Sequence, residues 1–243
     1  MRTKNPALNA QAISGVQGLA VGQGMSIQGA VNKTAILLCL ALIASSWVWG
    51  RAMAGGPVQG YLALGVFGGF VVALGTVFAP SWAPITAPLY AALEGLALGG
   101  LSAAFEQRYP GIAIQAVALT FGTMAAMLLA YTLRLIRVSA KLRMGIIAAT
   151  GGICLVYLAS WILGWFGVQI PLLYDASPLG IGISLVIVAV AALNLVLDFD
   201  LIEQGARNGL PKAMEWYAAF ALMVTLVWLY LEMLRLLARV RRR

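Results

Sequence analysis

Apolar residues recur in long blocks broken by short polar or glycine- and proline-rich stretches, and no block shows the two-residue alternation of a half-buried strand. The blocks predict seven helices, near residues 34–50, 58–79, 85–105, 111–133, 144–166, 179–203 and 214–237. The breaks carry Arg51 and Gly55-Gly56-Pro57, then Pro80, Pro84 and Pro88, then Tyr109-Pro110-Gly111. Each block spans a bilayer at about 20 residues, so the expected fold is an all-α integral membrane protein of one compact domain.

Composition agrees with the pattern. Of 243 residues, 62% are hydrophobic and 10% charged, with a mean hydropathy of +0.92, whereas a soluble domain carries roughly a quarter charged residues. Residues 1–33 lack an apolar core of signal-peptide length, so the first hydrophobic segment is expected to stay as a span. The Gly-, Gln- and Ala-rich leader reads as a flexible cytoplasmic tail over 1–33, with Met25 to Lys33 as an interfacial lead-in, ahead of a membrane domain over 34–243. Cys39 and Cys154 both lie in apolar runs and build neither a disulfide framework nor a thiolate metal site.

Orientation follows from Lys and Arg, which are enriched in cytoplasmic loops. Arg134, Arg137, Lys141 and Arg143 place the fourth connection, and with it the N-terminus, inside. With seven spans the count is nine basic residues inside and seven outside, a weak asymmetry caused by Arg235, Arg239, Arg241, Arg242 and Arg243. One re-entrant segment would make it 14 to 2. The net charge of +8 sits beside span ends, so anionic lipid headgroups of the bilayer, not nucleic acid, are the expected counterpart. Trp47, Trp49, Trp82, Trp161 and Trp165 read as interfacial anchors.

Small residues stud the spans, and Gly95-x-x-x-Gly99 permits a close helix crossing, although such spacing is common in membrane bundles. The acids are the more informative residues. Glu94 lies near the middle of the third span, where desolvation favours its neutral form. It reads either as a proton or cation site, or as a neutral acid bonding a neighbouring helix.

At the end of the sixth span the chain runs Asp198-Phe199-Asp200-Leu201-Ile202-Glu203. At 100° per residue Asp198 shares a face with Asn194, and Asp200 shares the other with Glu203, so only one aspartate points fully into the bundle. The Asp-Phe-Asp run lacks the glycine turn and distal ligands of a calcium-binding helix-loop-helix. These acids read either as a functional cluster or as headgroup-level charges beside Arg207 and Lys212. Glu232 and Arg235, three apart, are expected to pair. With no histidine and no phosphate-binding glycine loop, the expectation is a protein that is not an enzyme and needs no cofactor. An intramembrane aspartyl protease needs two facing aspartates within spans, and Tyr174-Asp175 falls in a loop.

Five stretches, Leu93-Glu-Gly-Leu-Ala-Leu-Gly99, Tyr109-Pro-Gly-Ile-Ala-Ile-Gln-Ala116, Ala149-Thr-Gly-Gly-Ile153, Ala192-Leu-Asn-Leu-Val-Leu-Asp-Phe-Asp200 and Met214-Glu-Trp-Tyr217, occur in an order that resembles the Bax inhibitor-1/YccA-like family, in particular its bacterial branch. The resemblance covers about residues 25–240 and is strongest from 85 onward. It implies a seven-transmembrane-helix bundle with the last helix central, surrounded by the other six. It also implies a bacterial inner membrane and a pH-sensitive calcium leak, or alternatively modulation of a membrane-embedded ATP-dependent protease.

The family's aromatic-Asp motif matches Phe199-Asp200, so Asp200 inherits the role of one half of a proton-sensing carboxylate pair, and Thr225 stands where the second Asp belongs. Thr225 does not titrate, which leaves Glu215, Glu232 or Glu94 as substitutes. The expected mechanism is a shared proton that locks two acids together, with its loss opening an oxygen-rich mouth for calcium. Asp200 would be gate and transient calcium ligand, completed by Asp198, Glu203 or Glu215. The alternative is a non-conducting interaction protein that uses the N-terminal tail as a handle.

Overall fold

In the computed structural model, which describes residues 24–167 and 175–242, seven long helices follow one another and alternate in direction. They are α1 Ile27–Met53, α2 Gln59–Phe78, α3 Ala83–Arg108, α4 Ile112–Thr132, α5 Ala140–Trp165, α6 Pro178–Arg207 and α7 Met214–Arg241, with a short 3₁₀ turn at Pro80–Trp82 before α3. All seven are long and apolar enough to cross a bilayer. No re-entrant segment occurs among the described residues, and the two ends of the membrane domain lie on opposite faces of the bundle. Leucine, phenylalanine and tryptophan side chains such as Phe67, Phe70, Phe78, Leu155 and Trp165 are exposed on its outside, the inverse of a soluble surface.

Local chemistry sets the helix ends. Ser26, Ser139 and Ser177 cap α1, α5 and α6 by accepting from the backbone N–H of Gly29, Leu142 and Gly180. Glu106 reaches across the Tyr109-Pro110-Gly111 turn and accepts from the N–H groups of Gly111 (2.5 Å) and Ala113 (3.1 Å), covering the open start of α4. The expected boundaries hold within a few residues except at the front. There α1 begins at Ile27, so the last seven residues of the expected tail are helix. Residues 1–23 lie outside the described part of the chain.

α7 is the most buried span and packs against α1, α3, α4 and α6. Leu222, Met223, Leu226, Leu229 and Leu234 form the centre of the core. Four helices pack closely on α7, fewer than the expected six, because α2 packs mainly on α3 and α5 mainly on α6, with Tyr157 of α5 reaching α7 through its hydroxyl. Glycines decide the tight inner crossings. A Cβ at Gly95 would meet the Ala41 carbonyl oxygen at 2.5 Å, and one at Gly99 would run into Ser45, so α3 and α1 touch backbone to backbone. Gly65 does the same for α2, where a Cβ would lie 2.6 Å from Ala97 N. By contrast Gly145, Gly151 and Gly152 of α5 face open space.

Candidate functional site

A cavity of about 810 Å³ opens on the N-terminal face between α1, α4, α6 and α7. Its walls are apolar in depth, with Leu38, Met124 and Leu222, while Arg134, Arg137, Arg207, Asp200 and Glu203 line its rim. Arg134 reaches the rim through the way α4 ends. Leu135 N–H donates to Ala130 O and Arg134 N–H to Tyr131 O, the paired bonds that close a helix with a left-handed residue. Arg134 takes that conformation at φ 56°, where glycine is the usual occupant, at a cost of about 1 kcal/mol.

The rim acids are fully engaged. Asp200 Oδ2 accepts from Arg143 Nη2 of α5 at 2.5 Å and from Gln204 Nε2 at 2.7 Å. Glu203 accepts from the Tyr131 hydroxyl and pairs with Arg207 one turn on. Asp200 and Glu203 therefore share the vestibule side, as the helical wheel requires. Asp198 does not. Its Oδ2 is buried with no hydrogen-bond partner, and the side chain set against its carboxyl is Thr225 of α7.

The aspartate opposite Thr225 is thus Asp198, while Asp200, of the aromatic-Asp motif, meets Arg143. Of the two aspartates, Asp198 is the one that turns toward α7, and buried Phe199 lies between them in the chain. Asp198 lies nine residues inside the end of α6, about 14 Å along the axis, and Thr225 lies eleven residues inside the start of α7, about 16 Å. Both residues therefore lie well inside their helices, below the rim that Asp200 and Glu203 line. One turn deeper on the same face, Asn194 Nδ2 donates to Thr150 Oγ1 of α5 (2.8 Å) and to Val190 O (2.9 Å).

None of the three proposed substitutes reaches Asp198. Glu94 points at α2, where a Cβ on Gly69 would lie 3.0 Å from its Oε2. Glu215 is fully buried at the start of α7, where it accepts from Ser26 N (2.9 Å) and Ser26 Oγ (3.0 Å) and pairs with Lys33. Lys33 also lies 5.5 Å over the Trp216 ring. Glu232 is buried toward the other face, where it accepts from Tyr157 Oη (2.8 Å) and Arg235 Nη1 (2.7 Å), so its expected pairing with Arg235 holds. No carboxyl–carboxyl hydrogen bond and no cluster of three metal-ligating side chains occurs among the described residues. The shared-proton acid pair and a preformed calcium cage through Asp198 and Asp200 are both absent from this arrangement of the described residues.

Four partners were not legible as site residues: Ser26, Lys33, Tyr131 and Tyr157. Each meets its acid from 72 to 189 residues away in the chain, a distance that no spacing rule crosses. The docked segment at the front is another. Met25 N–H donates to Leu210 O at 2.7 Å, and Gly24 bridges Pro211, so the entry to α1 is stitched to the α6–α7 connection.

The helices and the buried acids together define a multi-pass α-helical membrane protein with ionisable groups held at bilayer depth. The chain matches the Bax inhibitor 1 like family over residues 5–242 and belongs to that family. No curated protein and no solved structure matches it.

Proposed function

We propose that the protein is a pH-dependent leak for calcium or another cation, with Asp198 as its protonatable element. The observation that carries this reading is the buried Asp198 Oδ2, left without a hydrogen-bond partner inside the span of α6. A carboxyl with one oxygen buried and unpaired binds either a proton or a cation, because an uncompensated charge there is costly. The group facing it from α7 is the neutral Thr225 hydroxyl, on its own helix the next acid is Asp200, and on α5 the nearest polar partners are Arg143, held by Asp200, and Thr150, held by Asn194. With Asp198 protonated, α6 and α7 pack as described and the path is closed. Once it is ionised, its oxygens with those of Thr225 and Asn194 offer hard ligands one step below the vestibule.

Asp200 and Glu203 then serve as mouth ligands whenever Arg143 and Arg207 swing away. The protein performs no catalysis in this reading, and calcium is cargo. In this reading the membrane is the inner membrane of a bacterium, as the resemblance to the family's bacterial branch implies, and the basic residues of the α4–α5 connection support a cytoplasmic N-terminus. In vesicles loaded with a calcium dye, flux is expected to rise from acid to neutral pH. Asp198→Asn is expected to hold flux at the acid level throughout, while Asp200→Asn keeps the pH response. Absence of flux at every pH, or an unchanged profile in Asp198→Asn, overturns the proposal.

The second reading, restraint of a membrane-embedded ATP-dependent protease, is favoured by the stitch at Gly24 and Met25. It delivers any pull on the tail to the α6–α7 connection. Removing residues 1–23 is expected to leave flux intact and to abolish control of such a partner.

A further inference from the structure

The arginines that upset the charge asymmetry gather around one place. On the C-terminal face a cavity of about 450 Å³ is lined by Arg108, Tyr109, Tyr157, Arg235, Arg239 and Arg242. Among the described residues no carboxylate lines it. Glu232, bonded to Arg235 from within the bundle, offsets one of the four guanidinium charges. Arg239 is fixed on α6, donating to Gly180 O at 2.8 Å and to Ser184 Oγ. The Arg235 guanidinium lies 5.1 Å over the Tyr157 ring, and that of Arg108 lies 5.9 Å over Tyr109. Such a concentration of like charge is self-repelling unless an anion sits among it.

A second cavity, of about 680 Å³, runs between α5 and α6, and Tyr157 is a wall of both. Its lining is apolar, with Gly152, Val156, Gly182, Ile183 and Val186. Among the described residues the main neighbour of α5 is α6, and Leu155, Leu179 and Val186 beside the slot are more than half exposed, so it opens sideways toward the bilayer. The two cavities share the Tyr157 wall, and both reach toward the C-terminal face, where Arg108 is the last residue of α3 and Pro178 the first of α6.

We propose that the two cavities are one binding site for an anionic phospholipid of the leaflet at the C-terminal face. The phosphate is held by Arg108, Arg235 and Arg242, whose planar guanidinium groups match its oxygens, and one acyl chain lies in the α5–α6 slot. Charge complementarity selects the headgroup, and the apolar slot beside it selects a chain-bearing phosphodiester over a free one. This site is separate from the vestibule and independent of whether the protein conducts.

The test uses the full chain, purified in detergent and delipidated, with phosphatidylglycerol, phosphatidylcholine and soluble glycerol 3-phosphate as probes, read by native mass spectrometry and thermal shift. Phosphatidylglycerol is expected to be retained over phosphatidylcholine. Arg108→Gln with Arg242→Gln is expected to weaken retention at least about tenfold, given roughly a fivefold effect per arginine near an anionic headgroup. Val186→Trp fills the slot from an exposed position, leaves the arginines in place and is expected to weaken it as well. Lys141→Gln with Lys212→Gln, on the other face, is expected to change nothing. Equal retention of both lipids, undiminished binding in the arginine and tryptophan variants, or displacement of the lipid by glycerol 3-phosphate each overturns the proposal.

Discussion

Each buried acid in this protein is defined by what comes to meet it. Glu215 and Lys33 form the case that is easiest to weigh, since both are largely buried and Ser26 supplies two further hydrogen bonds. Breaking a buried pair from one side strands a charge, whereas replacing both sides with apolar groups is close to neutral. Lys33→Met is therefore expected to cost about 3 kcal/mol of stability, and Lys33→Met with Glu215→Leu to recover most of it, measured by unfolding in mild detergent. Additive losses in the double variant would show that the pair contributes nothing. Nothing around Lys33 in the sequence announces this partner, for the two residues lie 182 positions apart. What the sequence did announce, on the helical wheel alone, was that Asp198 and Asp200 point to different sides.

Helices meet at two kinds of glycine, and a glycine's sequence context does not tell them apart. Gly99 sits on a crossing where a Cβ would press into the Ser45 backbone, while Gly145 faces open space. Gly99→Leu is expected to destabilise by about 3 kcal/mol or to prevent assembly, since neither backbone can yield. Gly145→Ala is expected to be neutral or to stabilise by up to about 1 kcal/mol through helix propensity. Thermal unfolding of the two variants side by side checks both. The Gly95-x-x-x-Gly99 spacing correctly flagged a tight seam, whereas the glycines of α5 form none among the described residues. Helix existence was legible throughout because an apolar run of about 20 residues has few other fates in lipid. The start of α1 was missed because Ser26-Ile27-Gln28-Gly29 is polar enough to read as tail, yet Ser26 caps the helix and bonds Glu215.

Across the whole molecule the odd number of spans places the two ends on opposite faces, even though this leaves many arginines on the C-terminal side. Single cysteines, introduced after Cys39 and Cys154 are changed to alanine, report this through a membrane-impermeant maleimide. Labels at Gly56 and Arg242 are expected to behave alike, and labels at Lys141 and Lys212 alike and opposite. Grouping of Arg242 with Lys212 would instead require a re-entrant segment. The central place of α7 matches the expectation, but the shell around it does not, because α2 and α5 attach to α3 and α6 from outside.

Hydrophobic period and length by themselves determined the class, the number of helices and their approximate ends, since the cost of unpaired backbone groups in lipid leaves helices as the solution for apolar runs of this kind. Composition added that the acids are few. Only tertiary structure decided which partner each acid meets: Asp200 meets Arg143, Glu203 meets Tyr131, Glu215 meets Lys33, Glu232 meets Tyr157, and Asp198 faces Thr225 with one oxygen unpaired. The reason is physical. A side chain's direction follows from its own helix, but its partner follows from how seven helices rotate against one another, and that rotation is set by packing summed over the whole bundle.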